Sequence, residues 1–277
     1  MMADALRAAH ALRDFPAAIS VHLVEISPSL ETRQRQALEP MGLPLTWHRS
    51  LDEVPEGPTI ILANEFFDAL PVHQAVMCAD GWHERMVKID EDDKLRFGTA
   101  RDPIPLFDEL LPRGFAAAAI GEIFEWRVDQ VALEIGRRVA QYGGAALIID
   151  YGHGRSGTGD TLQAVRGHGF ADPLLAPGQA DLTAHVDFAA LAQAAESMRA
   201  RAYGPLDQGE FLRRLGIETR AAALKSAAPG AQAAEIDAAL ARLIGSESKA
   251  MGKLFKVMAL ADAQLGAPPA FEETAGT

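Results

Sequence analysis

Cysteine is nearly missing from this sequence. Cys78 is the single one in 277 residues, so no disulfide can close within the chain, which fits a reducing compartment. It reads as a buried bystander thiol. Basic residues are scarce beside acidic ones, 26 Lys and Arg against 38 Asp and Glu, for a formal charge of −12. That balance argues against a dedicated nucleic-acid binder, which needs a basic face. It favours attraction to basic protein targets. Long hydrophobic runs are lacking too: none reaches the roughly 18 residues of a membrane span. The first residues read as an amphipathic helix with charges inside it, unlike a signal peptide. There are no internal repeats and no metal-ligand spacing of the Cys-x-x-Cys or His-Glu-x-x-His kind. What is present is apolar material in abundance, 48% of residues, enough for a sizeable core. The net charge fits a cytoplasmic enzyme, and the Ala- and Arg-rich style suggests a bacterial source.

Short apolar strand candidates alternate with helical patterns in the first part of the chain, the signature of an α/β fold with helices on the faces of a parallel sheet. Residues 3–14 read as a helix and 18–26 as a buried strand. Ser27 then caps a helix that has Pro28 at its first position and Glu31 in its first turn. Strands follow at 45–49 and 59–63. The pattern changes at 72–100, which reads as a β-meander with a turn at 90–93. Residues 121–140 read as a helix with Ile123, Phe124, Val128, Val131 and Ile135 on one side, ended by Gly143-Gly144, and 145–149 as a further buried strand. Residues 152–160 are a glycine-rich, flexible loop and 161–185 a polar connection. A helix near 187–199, a strand near 201–206, helices to about 247 and a strand at 254–260 complete the pass. The expected division is 1–71 and 121–264 as two parts of one core, 72–120 as an insertion, and 265–277 as a disordered tail.

In a doubly wound sheet, ligands bind at the carboxyl ends of the strands. Glu25 ends the first strand. A carboxylate there either accepts hydrogen bonds from both hydroxyls of a ribose or serves as a surface acid. Asn64, Glu65, Phe66, Phe67 and Asp68 follow a strand, an unusual concentration of acids, amide and aromatics. Asn64 both donates and accepts, and Phe66 or Phe67 suits a flat base or a sulfonium. Asp150-Tyr151-Gly152-His153 ends the fifth strand in the same way. Asp181 to Phe188 is dense in polar groups just before a helix, with Asp181 or Thr183 as candidate caps. His185 is either a general base or a structural histidine.

These segments resemble the MidA-like family of S-adenosylmethionine-dependent methyltransferases, which includes the mitochondrial complex I assembly factor that methylates an arginine of a core subunit. The resemblance rests on Met2 to Arg7, Val24-Glu25-Ile26-Ser27-Pro28, Ala63 to His73, Ile149 to His153, Pro177 to Phe188 and Met251 to Val257. The runs Asn-Glu-Phe-Phe-Asp-Ala-Leu-Pro and Asp-Leu-Thr-Ala-His-Val-Asp-Phe are specific to it. The resemblance implies a Rossmann-like class I methyltransferase sheet with S-adenosyl-L-methionine as cofactor. Glu25 and Ile26 would lie at the ribose, Ser50 and Leu51 beside the adenine, and Asn64, Glu65 and Phe66 at the methionine and sulfonium end. Glu65, Asp68 and His185 are the catalytic candidates, the two acids orienting a cationic acceptor. That acceptor would be an arginine of a protein, of the respiratory complex I subunit type. No metal, nucleic acid or membrane is implied.

In the family, a strand and a glycine-rich loop come immediately before the segment matching Met2-Ala3-Asp4. The expectation is therefore an N-terminally truncated sheet lacking its first strand, with unpaired edges on the strands at 18–26 and 59–63. That leaves two further readings: a non-catalytic assembly or binding protein, and a small-molecule O- or N-methyltransferase.

Overall fold

The computed structural model describes residues 1–112, 115, 118–167, 169–247 and 250–272. They form two compact units, divided between Gly57 and Pro58. The boundary thus falls inside the 1–71 segment expected as one piece.

The first unit is built on a parallel strand pair. Helix α1 (Met2–Ala9) and a short α2 (Phe15–Ala18) lead into β1 (Val21–Val24). Helix α3 (Pro28–Leu38) then returns the chain to β2 (Leu45–His48). The strands run in register from Val21 opposite Leu45 to Val24 opposite His48. Ser27 caps α3 as expected, its side chain accepting from the Leu30 N–H. Leu6, Val21 and Leu38 form the core, with Ile19, Leu23 and Leu45 packed against them.

The second unit holds the larger sheet. Strand β3 (Thr59–Asn64) runs parallel to what becomes β8 after a long excursion. That excursion is a four-stranded antiparallel sheet of β4 (His73–Cys78), β5 (Gly81–Ile89), β6 (Leu95–Thr99) and, past the short α4 (Phe107–Leu110), β7 (Ile123–Trp126), in the order β6-β5-β4-β7. The helix expected from residue 121 is therefore corrected: its first part is the meander's fourth strand, with Phe124 opposite Ala75. Ile123, Phe124 and Trp126 have the bulky and β-branched character that suits a pleated sheet. Phe124 packs into a buried cluster with Ala75, Trp82 and Phe107. Helix α5 begins only at Gln130 and runs to Tyr142.

Strand β8 (Gly144–His153) is longer than expected and contains Asp150, Tyr151, Gly152 and His153. Residues 161–185 are not a plain connection. They carry a small antiparallel sheet of β9 (Gln163–Arg166), β10 (Gly169–Ala171) and β11 (Asp181–Thr183), in the order β10-β9-β11. The glycine-rich loop before it is also pinned: Thr158 bridges Phe124, and the Gly159 N–H donates to the Ile123 carbonyl at 2.7 Å. Then come β12 (Val186–Asp187) and α6 (Phe188–Ser197). Asp187 caps that helix in place of Asp181 or Thr183, its Oδ1 accepting from the Ala189 and Ala190 N–H groups. Strand β13 (Arg201–Asp207), helices α7 (Gln208–Arg214), α8 (Ile217–Ala227), α9 (Gly230–Ile244) and α10 (Met251–Leu254), and strand β14 (Phe255–Ala261) follow.

Strand β14 lies antiparallel between β8 and β13, while β12 pairs parallel with the last residues of β8. Ile148, Val257, Met258, Leu260, Val139, Ile135 and Phe188 are fully buried around this sheet. Each such large side chain contributes roughly 1.5–3 kcal/mol by leaving water. Among the described strands, β1 pairs only with β2 and β3 only with β8. Within the expected tail, Phe271 is buried against Tyr203 and Phe211, with Ala267 and Ala270 packed against the same cluster. Residues 273–277 lie outside the described residues. Cys78 is half-buried rather than buried.

Candidate active site

In the first unit, Glu25 directly follows β1, its N–H bonded to the His48 carbonyl of the neighbouring strand. Its Oε1 accepts from the Ser27 N–H at 2.8 Å and its Oε2 from Gln34 Nε2 at 2.9 Å. Gln34 in turn accepts from Trp47 Nε1 at 2.9 Å. A carboxylate offers about four acceptor positions, so Glu25 is fixed in place with capacity to spare. Ile26 beside it is 68% exposed. Ser50 precedes a 3-10 turn over Leu51–Glu53 at the end of β2. Glu25, Ile26, Ser50 and Leu51 thus all lie at the carboxyl ends of the two parallel strands. The donor and acceptor set fits an adenosyl ribose.

In the second unit, the loop after β3 wraps around one carboxylate. Asp150 is fully buried, and its Oδ2 accepts from three successive N–H groups, those of Phe66, Phe67 and Asp68, at 3.0–3.2 Å. Its Oδ1 accepts from the Tyr151 N–H at 2.9 Å. Burial, and then the neighbouring Asp68 charge, push the Asp150 carboxyl up to about 7, against the pull of these N–H donors. Glu65 opens the loop with a left-handed backbone, φ 48°. Glu65 and Asn64 are exposed, and Asn64 Nδ2 donates to Glu65 Oε1 at 3.2 Å. Phe66 is half-buried, and Phe67, edge-on to it, is buried.

Asp68 is not solvated. It is 5% exposed, and its Oδ2 accepts a short hydrogen bond from the Tyr151 hydroxyl. Its Oδ1 is buried with no hydrogen-bond partner. Burial, and then that bond to Asp68, raise the pKa of Tyr151. The His185 ring stands edge-on to Tyr151, centroids 5.6 Å apart. Burial, and then His153, hold His185 below its ordinary pKa, so it is neutral near pH 7. The structure therefore brings Asp68 and His185 together around Tyr151, while Glu65 stands apart on the exposed side of the loop.

Sequence reasoning missed Arg127. Its Nη1 donates to the His185 carbonyl and its Nη2 to the Ala184 carbonyl, both at 2.7 Å. Longer bonds of 3.4 Å reach the carbonyls of Asp68 and Leu70. Glu125, two residues earlier, accepts from the Thr161 and Leu162 N–H groups, from the Thr161 hydroxyl and from Gln74. The Thr161 hydroxyl oxygen also accepts from the His185 N–H at 2.9 Å. No local pattern announces such contacts, because their partners lie more than thirty residues away in the chain. Among the described residues no group of acids, histidines and cysteines is placed to hold a metal ion, and no helix is long and apolar enough to cross a membrane.

An acid just after a parallel strand in the first unit, and polar loops at the ends of parallel strands in the second, are each features of nucleotide-cofactor enzyme folds. Residues 1–206 match the family described as S-adenosyl-L-methionine-dependent methyltransferase. The chain belongs to that family. It is 36% identical over 259 residues to the protein arginine methyltransferase NDUFAF7, mitochondrial, of Danio rerio, covering 86% of this chain and 60% of the relative. To the Homo sapiens protein of the same name it is 38% identical over 229 residues, covering 73% and 50%. The chain thus spans between half and three fifths of the length of these curated relatives. A COG1565 superfamily member from Burkholderia thailandensis, crystallised with S-adenosyl-homocysteine, superposes with a TM-score of 0.79 at 29% identity, covering 98% of this chain and 71% of that one.

Proposed function

We propose that this chain is an S-adenosyl-L-methionine-dependent methyltransferase whose acceptor is an arginine of a protein. The observation that carries the acceptor side is Asp68: a buried acid with one oxygen fixed by Tyr151 and the other without a partner. A buried acceptor demands a donor, and a guanidinium presents a planar fork of N–H donors that stays charged at any working pH. The net charge of −12 supports a basic protein target over nucleic acid. From the composition, the charge and the single cysteine we infer a bacterial cytoplasm, and following the family resemblance we infer a respiratory complex I subunit as acceptor.

S-adenosyl-L-methionine, when bound, supplies a methyl group on a sulfonium for in-line transfer. The chain's own residues bind and orient. Glu25 accepts from the ribose hydroxyls, with Ile26, Ser50 and Leu51 at the same strand ends. Asn64, a donor and acceptor, and Phe66 serve the methionine end. Asp68, with Glu65 at the loop's exposed side, pairs with two guanidinium nitrogens and leaves the third free to react, a matter of alignment more than covalent help. The neutral His185 ring takes the proton that the methylated nitrogen gives up.

The test is methyl transfer from labelled S-adenosyl-L-methionine to arginine-containing proteins, with calorimetric binding of S-adenosyl-homocysteine alongside. Label in methylarginine, with Glu25→Gln weakening S-adenosyl-homocysteine by about tenfold, supports the reading. Binding without transfer to any acceptor would favour a non-catalytic assembly protein. Transfer only to small molecules would favour an O- or N-methyltransferase of that kind.

A further inference from the structure

We infer that Arg127 is a positioning residue: it fixes the segment carrying His185 onto the loop carrying Asp68, and so sets the geometry of the acceptor pocket. The inference rests on the methyltransferase reading above. Arg127 sits just past the end of β7, in the inserted meander rather than in the central sheet. Its planar fork spans two adjacent carbonyls, Ala184 and His185, each at 2.7 Å. The same guanidinium reaches the carbonyls of Asp68 and Leu70 at 3.4 Å, and the Ala184 N–H donates to the Asp68 carbonyl at 3.1 Å. One side chain thereby reinforces the single backbone bond between the two loops.

Glu125 completes the arrangement. Alternate residues at a strand end share a face, and Glu125 holds Thr161, whose hydroxyl accepts from the His185 N–H. Thr161 and His185 are the two ends of the segment that carries β9, β10 and β11. One carboxylate therefore grips the start of that segment and one guanidinium its end. Burial lowers the pKa of Arg127, opposed by the Glu125, Asp150 and Asp68 carboxylates, and a guanidinium stays charged at any working pH. A lysine in its place is a point charge without the fork and spans one carbonyl, not two.

The experiment uses the whole chain with Arg127→Lys, Arg127→Ala and Thr161→Val. Methyl transfer to an arginine-containing protein is read as kcat and KM, with and without added methylguanidine. Tryptic cleavage after the exposed Arg166 in β9 reads the hold on the segment without any activity. The expected result is that Arg127→Ala loses kcat by about tenfold or more, with KM for S-adenosyl-L-methionine within about twofold. Arg127→Lys falls between, methylguanidine restores activity to Arg127→Ala only, and cleavage accelerates in the same order. Thr161→Val, a milder change, moves both readouts in the same direction. Unchanged kcat and unchanged cleavage in Arg127→Ala overturn the inference, as does full activity in Arg127→Lys. A wild-type chain that transfers no methyl to arginine overturns the methyltransferase reading and the catalytic role of Arg127 with it. Cleavage after Arg166 then still decides whether the clamp exists.

Discussion

Asp150 and Arg127 hold the same stretch of chain by opposite halves of its peptide groups. The Asp150 carboxylate takes the N–H groups of Phe66, Phe67 and Asp68, and the Arg127 guanidinium takes the carbonyls of Asp68 and Leu70. Asp68 is thus fixed from both directions before its side chain meets Tyr151. This is how a loop acquires the rigidity that aligned chemistry requires.

The Asp150 carboxyl gives the protein a titration of defined sign. Its pKa rises on folding from the ordinary 3.8 to about 7. Between those values the unfolded chain has released the proton and the folded chain retains it. The group's contribution to stability therefore falls as pH rises from about 4 to about 7 and is level above that. Denaturant unfolding of the wild type against Asp150→Asn across this window is expected to show the slope in the wild type alone. A carboxyl carbon resonance of Asp150 titrating near 4 would contradict it.

Gly152 is where β8 meets β12. A Cβ there would stand 2.0 Å from the Val186 carbonyl oxygen and 2.8 Å from its nitrogen. The obstacle is backbone, so the strand pair must separate. Gly152→Ala is expected to destabilise the chain by about 3 kcal/mol or more, at the overpacking extreme, or to prevent folding. A melting temperature within a degree of wild type would be the contrary result.

Asp187 accepts from two N–H groups at the start of α6. Asp187→Ala is expected to cost about 1 kcal/mol, the usual worth of such a cap. Asp181→Ala, at a residue that caps nothing here, is expected to change stability by less than about 0.5 kcal/mol. Urea unfolding of the two variants side by side separates them.

Phe124 lies 6% exposed among Trp82, Phe107 and Phe115, with ring centroids 5.2–6.3 Å away. Phe124→Ala is expected to cost about 3–5 kcal/mol. Because β7 also carries Glu125, the same variant is expected to weaken the hold on Thr161, seen as faster amide exchange at His185.

Runs with one unambiguous period were legible from residues alone. Thr59 to Ala63 and Leu45 to His48 are continuous or alternating strand patterns, and Ser27-Pro28 announces a capped helix. Residues 121–129 deceived because Ile123, Phe124 and Val128 also match a helical spacing, and only pairing with β4 decides between the two. The small sheet at 163–183 is polar and short, with Phe170 84% exposed, so no apolar alternation marks it. At the site, Glu25 and the Asn64 to Asp68 run stood out by their places after strands. The environments of those residues did not. That Asp68 is buried against Tyr151 while Glu65 faces outward depends on Asp150, more than eighty residues away in the chain. Arg127 carried no signal because every partner it has is a main-chain carbonyl.

The four-stranded meander of residues 73–126 looks like the part of this protein that protein engineers would remove first to reach a minimal catalytic core. Its last strand, though, carries Glu125 and ends one residue before Arg127, and both bind the ends of the segment between Thr161 and His185. A trimmed version that joins Pro71 to Gln130 would retain Phe66, Phe67 and Asp68, whose N–H groups hold Asp150, and lose both Glu125 and Arg127, which hold Thr161 and His185. Such a deletion is expected to fold around its central sheet and leave the loops of Asp68 and His185 unregistered, which makes the insertion part of the protein's structural minimum and a poor site for grafting foreign domains.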